Sequence, residues 1–126
     1  MDNSRATIIL VDDDITNLTV ARNNLSEKYN IFTAPSGEKM FLLLEKVRPA
    51  LILLDIEMPD TDGYKVMEKL KANEKTSDIP VIFMTAKTDP RSEMEGRNMG
   101  TVDFITKPFS KELLIKHIDS HLRHNV

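Results

Sequence analysis

The chain has 126 residues, 40% hydrophobic and 29% charged, with a net charge of −3 and no cysteine. That length fits one domain whose core needs no covalent staple, and the lack of cysteine excludes a disulfide framework, a thiolate zinc site and a cysteine nucleophile. No apolar run exceeds five residues (Met40–Leu44 and Ala50–Leu54), against about 20 for a membrane span and about 7–15 for a signal-peptide core, so a cytoplasmic chain is expected.

Five short apolar runs, Ala6–Val11, Asn30–Ala34, Leu51–Leu54, Val81–Met84 and Val102–Ile105, have the length and the Ile, Val and Leu content of buried strands. Helix-like segments separate them. Leu18, Ala21 and Leu25 share one helical face. Met40, Leu43, Leu44 and Val47 share a second, with Ser36 as N-cap and Pro49 as the stop. Val66, Met67 and Leu70 mark a third, Met94 and Met99 a weaker fourth between Pro90 and Gly100, and Leu113, Leu114, Ile118 and Leu122 a fifth with Ser110 as N-cap. Strands alternating with helices predict an α/β fold, a parallel sheet covered on both faces.

In such sheets ligands gather just past the carboxyl ends of the strands, so those residues carry the chemistry. They are Asp12-Asp13-Asp14 after the first strand, Asp55 and then Ile56-Glu57-Met58-Pro59 after the third, Thr85-Ala86 after the fourth, and Thr106-Lys107-Pro108-Phe109 after the fifth. Each alone is ordinary; Asp14, for example, suits a helix cap. Together they describe carboxylates that repel one another unless a cation joins them. Hard oxygen ligands select Mg²⁺ or Mn²⁺, and a divalent ion beside a lysine would gather the oxygens of a phosphoryl group. The charge distribution agrees. Residues 1–63 hold 11 acidic and 6 basic side chains, against 9 and 11 in residues 64–126. The acidic balance argues against a direct nucleic-acid partner.

At these residues the sequence resembles the receiver domain of two-component response regulators. The matching pieces are Val11-Asp12-Asp13, the segment Asp55 to Gly63, Met84-Thr85-Ala86, and Phe104 to Phe109. The resemblance implies one receiver domain over residues 1–126, core about 6–122, with a flavodoxin-like five-stranded parallel sheet of order 2-1-3-4-5 and five helices. It implies that Asp55 is the phosphoacceptor for a histidine kinase or phosphotransfer protein. Mg²⁺ would be held by Asp12, Asp13, Asp55 and the carbonyl of Glu57, Asp12 acting mostly through water. Lys107 would pair with Asp55 at rest and with the phosphoryl group afterwards. Thr85 would swing in to that group, and Phe104 would turn inward as an aromatic switch. Lys107-Pro108 would be a cis peptide, and Pro59 and Gly63 would shape the loop after the nucleophile. Output is expected through the face of the fourth helix, fifth strand and fifth helix, including Glu95, Phe104, Lys111 and Lys116, toward a downstream protein, an output domain or a second copy. Catalysis would be limited to the domain's own phosphorylation and slow dephosphorylation.

Some residues fall on variable positions of that pattern. Glu57 and Lys87 flank the site and are expected to tune the phosphoryl lifetime, Glu57 by positioning water and pairing with Lys87. Gly100-Thr101 stands where Gly-Ala is common, with an expected effect on packing only. His117 and His121 are four apart on a helix, a spacing that can hold a metal. Without a third ligand in the sequence they read as two solvent-facing histidines. Lys65, Lys69, Lys71 and Lys75 read as a solvated face, and the methionines as core filler. Two other functions fit parts of the pattern. Asp12-Asp13-Asp14-Ile15-Thr16 also resembles the nucleophile motif of haloacid-dehalogenase-like phosphatases, with Asp12 attacking and Asp14 as the acid. A receiver fold that binds partners without taking phosphate is the other.

Overall fold

A computed structural model describes residues 5–58, 61–85, 100–101, 103–107 and 110–122. Its main sheet has five parallel strands: β1 (Thr7–Val11), β2 (Asn30–Ala34), β3 (Leu51–Asp55), β4 (Val81–Thr85) and β5 (Asp103–Thr106). Their spatial order is β2-β1-β3-β4-β5. Chain progression therefore reverses between β1 and β3, the switch point beside which open α/β sheets bind ligands.

Alternation along the strands builds two cores. Ile9, Val11, Ile52, Leu54, Val81 and Phe83 face one side, where helices α2 (Gly37–Leu44) and α3 (Gly63–Ala72) add Met40, Val66, Met67 and Leu70. Ile8, Leu10, Leu51, Leu53, Ile82 and Met84 face the other, covered by Leu18, Ala21 and Leu25 of α1 (Ile15–Leu25) and by Leu114 and Ile118 of the last helix (Lys111–Leu122). Every residue of β3 and β4 is buried, as strands covered on both faces require. Each large side chain so buried contributes roughly 1.5–3 kcal/mol of transfer free energy. The four methionines described, Met40, Met58, Met67 and Met84, are all buried.

Several boundaries differ from the sequence expectation. β3 and β4 each run one residue further, because Asp55 pairs with Met84 and Thr85 with Thr106 in the parallel ladder. α2 stops at Leu44, short of Pro49. There the amides of Glu45 and Lys46 bond back three residues, to Leu42 and Leu43, tightening the last turn. Leu113 is 43% exposed, since it sits one position off the Leu114–Ile118 stripe. Lys71 leaves the solvated face and donates to the carbonyl of Ser77 at 3.0 Å. Ser36 and Ser110 accept from the amides of Lys39 and Leu113, as N-caps do. Thr101 does more than pack: its buried hydroxyl lies 2.8 Å from the Val81 carbonyl and 2.9 Å from that of Asp103. The expected fourth helix, Lys87, Glu95, Pro59 and Pro108 lie outside the described residues.

Candidate functional site: an acidic pocket at the strand ends

Strand register assembles the pocket. Val11 pairs with Leu54, so Asp12 follows beside Asp55. Asp55 pairs with Met84, which places Thr85 one residue beyond it, and Thr85 pairs with Thr106, the residue before Lys107. Ladder bonds continue past the strand ends: the amide of Asp12 donates to Ala34, that of Ile56 to Met84, and that of Lys107 to Thr85. Four chemical groups from distant parts of the chain thus meet on the rigid rim of the sheet.

Asp12, Asp55 and Thr85 are 3%, 2% and 2% exposed, and buried carboxylates need partners. The Lys107 ammonium supplies them, donating to Oδ2 of Asp12 at 2.9 Å and to Oδ2 of Asp55 at 3.0 Å. Burial opposes its charge, but hydrogen bonds to Asp12 and Asp55 and their negative charges outweigh burial and hold Lys107 above its ordinary pKa. The expected resting pair of Lys107 with Asp55 is present, and Asp12 shares it. Oδ1 of Asp12 also accepts from the Asp14 amide at 3.0 Å. Asn17 reaches Oδ2 of Asp12 at 3.5 Å, a contact that sequence reading missed; its place in the first turn of α1, five residues after Asp12, is the signal that could have found it. Asp14 points away from this cluster of contacts to cap α1, accepting from the amides of Thr16 and Asn17.

The donor set fits a hard divalent cation. Asp12, Asp13 and Asp55 each offer a carboxylate oxygen, and the three lie within 4.8 Å of one another, with Asp13 exposed at the rim. Two negative charges remain after Lys107 has balanced one, and an all-oxygen set suits Mg²⁺ rather than a softer ion. The backbone of Glu57 lies two residues beyond Asp55, in a short antiparallel ladder where Glu57 pairs with Asp62 and Met58 with Thr61. The Glu57 side chain and its expected partner Lys87 lie outside what the structure describes. Gly63, at the start of α3, packs directly on this segment: a Cβ there would stand 2.5 Å from Cα of Ile56.

Phe104 of β5 is half-buried and meets Phe83 edge to face, ring centres 5.7 Å apart; Phe83 meets Tyr64 of α3 in the same way at 5.8 Å. The histidine pair differs from expectation. His117 and His121 are not turned to solvent: both ring nitrogens contact Oδ2 of Asp103 on β5, at 2.6 and 3.0 Å. That carboxylate is invisible to helical periodicity because it comes from a different element.

A family model for the response regulator receiver domain matches residues 8–119. A probable cyclic di-GMP phosphodiesterase of Vibrio cholerae serotype O1 is 39% identical over 122 residues, covering 97% of this chain and 28% of that protein. The probable transcriptional regulator ycf27 of Pyropia yezoensis is 36% identical over 124 residues, covering 98% of this chain and 50% of its own length. The chain therefore spans half or less of these two relatives. Among solved structures, the chemotaxis response regulator CheY4 of Vibrio cholerae matches with a TM-score of 0.87 at 25% identity, covering 93% of this chain and 98% of that one. The receiver domain of a signal transduction histidine kinase from Syntrophus aciditrophicus matches with a TM-score of 0.85 at 32% identity, covering 94% and 91%. Sheet order, the pocket at its switch point and the matched family model converge: this chain belongs to the response regulator receiver domains of two-component signalling.

Proposed function

We propose that Asp55 is the phosphoacceptor of a phosphorelay. The observation that carries this reading is the buried Asp55 carboxylate held 3.0 Å from the Lys107 ammonium, beside two further carboxylates. In the reaction one Asp55 oxygen attacks the phosphorus of a phosphohistidine on a kinase or phosphotransfer protein. A P–O bond forms, the P–N bond breaks, and the imidazole keeps the electron pair. Asp12, Asp13 and Asp55, with the carbonyl of Glu57, would hold Mg²⁺, which when bound neutralises phosphoryl oxygens.

The chain's own groups do the positioning. Lys107 is already within reach of Asp55 and exchanges one acidic partner for the incoming phosphoryl oxygens. Thr85, at the end of the neighbouring strand, offers its hydroxyl to the same group. Phe104 follows Thr85 through the Phe83 contact, and the shift changes the β5 face that meets a downstream protein, an output domain or a second copy. Such a change acts by moving a pre-existing equilibrium. Glu57 and Lys87 set how long the phosphoryl group survives by controlling water. The rival assignment, with Asp12 as nucleophile and Asp14 as acid, gains nothing from the geometry, because Asp14 caps α1 and Asp12 is shared between Lys107 and the Asp14 amide.

The test is an NMR titration with beryllofluoride, a phosphoryl mimic, in the presence of Mg²⁺. The amides of Asp55, Thr85, Phe104 and Lys107 are expected to shift together, and Asp55→Asn to abolish the response. No shift at these positions would favour a receiver fold that works without phosphate.

A further inference from the structure

The histidine pair on the last helix faces a carboxylate from the sheet edge, and nothing in the phosphoacceptor pocket uses it. We propose that Asp103, His117 and His121 form a binding site for a divalent transition metal of the zinc class, separate from the acidic pocket. Asp103 opens β5, and Lys107 follows its carboxyl end, so the two sites are about 13 Å apart along the strand at roughly 3.3 Å per residue.

Three observations build the site. First, the residue types are right: two imidazoles and a carboxylate leave one coordination position for water, and nitrogen donors favour Zn²⁺ over Mg²⁺. Second, His117 and His121 are one helical turn apart, with their ring nitrogens 2.6 and 3.0 Å from a single oxygen, Oδ2 of Asp103. Donors at about 2.0–2.1 Å from a tetrahedral zinc lie roughly 3.3 Å from each other, so each nitrogen–oxygen pair opens by a few tenths of an ångström, while the two imidazole nitrogens, which do not come within 4.8 Å of each other, close toward the ion by side-chain rotation. Third, the carboxylate is oriented from behind: its Oδ1 accepts from the Phe104 amide at 2.8 Å. Such outer contacts are what fixes a metal ligand in place.

Loading the site takes two local adjustments. The three ligand atoms are not yet as close together as those of the acidic pocket, so at least one imidazole rotates to close around the ion. Each ring nitrogen that now faces the carboxylate carries the shared hydrogen. Ligation moves that hydrogen to the other ring nitrogen, leaving a lone pair for the metal; an imidazolium would instead release one proton to solvent. The bound ion then ties the last helix to β5.

The test is titration of the whole chain with Zn²⁺ alone under excess Mg²⁺, read by the imidazole NMR signals and by calorimetry. The site predicts that His117 and His121 signals move together, and that His117→Ala and His121→Ala each weaken zinc at least about tenfold. His117→Gln, which keeps a hydrogen-bond donor toward Asp103, is expected to fold normally and still lose zinc, separating ligation from packing. Asp13→Asn is expected to leave the affinity within about twofold. Zinc affinity that ignores His117→Gln and His121→Ala, or that falls instead with Asp13→Asn, overturns the proposal.

Discussion

The Lys107 ammonium lies 3.0 Å from Oδ2 of Asp55, although 52 residues separate them in the chain. The same ammonium reaches Asp12 at 2.9 Å, so one cation holds the ends of β1 and β3 together. Lys107→Met leaves two buried carboxylates without their partner. Without Mg²⁺ it is expected to cost about 1.5–3 kcal/mol, the scale of a hydrogen bond to a charged group. Mg²⁺ should stabilise this variant more than the parent, because the ion no longer competes with an ammonium. Thermal melts with and without Mg²⁺ check both effects; equal Mg²⁺ stabilisation of the two proteins contradicts the shared-site account.

Asp13→Asn changes the balance in the opposite direction. Three carboxylate oxygens within 4.8 Å repel one another when no cation joins them. Removing the exposed one should raise Mg²⁺-free stability by up to about 1 kcal/mol, in the range of surface charge pairs. Metal affinity should fall at least about tenfold, since even outer contacts of a metal site are worth that much. Calorimetric Mg²⁺ titration beside a melt measures the two opposed changes.

Gly63→Ala tests the contact beneath the loop that follows Asp55. An added methyl meets Cα of Ile56 at 2.5 Å and its Cβ at 2.8 Å, backbone and branched atoms that cannot rotate away. Overpacking of this kind costs about 1–3 kcal/mol. Denaturant unfolding with an unchanged m-value is the expected signature; a loss below about 0.5 kcal/mol means the segment relaxes freely.

Tyr29 gives a pH-dependent prediction. Its buried hydroxyl donates to Asp119 of the last helix. Burial, then that hydrogen bond and the Asp119 charge, push the phenol above its ordinary value of about 10. A folded-state pKa above the unfolded one gives stability that is complete below about pH 10 and lost as pH rises toward the folded value, because only the unfolded chain releases the proton there. Tyr29→Phe should therefore be less stable at neutral pH by about 0.5–1.5 kcal/mol. The gap should narrow above about pH 10. A gap that stays constant up to about pH 11.5 contradicts this assignment.

Much of the fold was legible because both faces of the sheet are covered. Runs such as Leu51–Leu54 have one physical use, and the helical stripes Leu18–Ala21–Leu25 and Val66–Met67–Leu70 have one buried side. The pocket residues were legible through the rule that strand ends carry chemistry. Their exact placement was not: Asp55 and Thr85 lie inside the ladder, because hydrogen bonding to a neighbouring strand continues past the last apolar side chain. Contacts between elements were the least visible. Helical spacing brings His117 and His121 to one side, but only the sheet supplies Asp103. Asn17, by contrast, reaches back only five residues to Asp12, so its place in the first turn of α1 was the one local sign of that contact.

The most direct test of the central claim is covalent. The chain is incubated with Mg²⁺ and a small acyl phosphate, the product is reduced with borohydride, and the modified peptide is sequenced by mass spectrometry. The account predicts one acyl phosphate, on Asp55, absent in Asp55→Asn and dependent on Mg²⁺. Modification at Asp12, or none at all under conditions where Mg²⁺ binds, contradicts it.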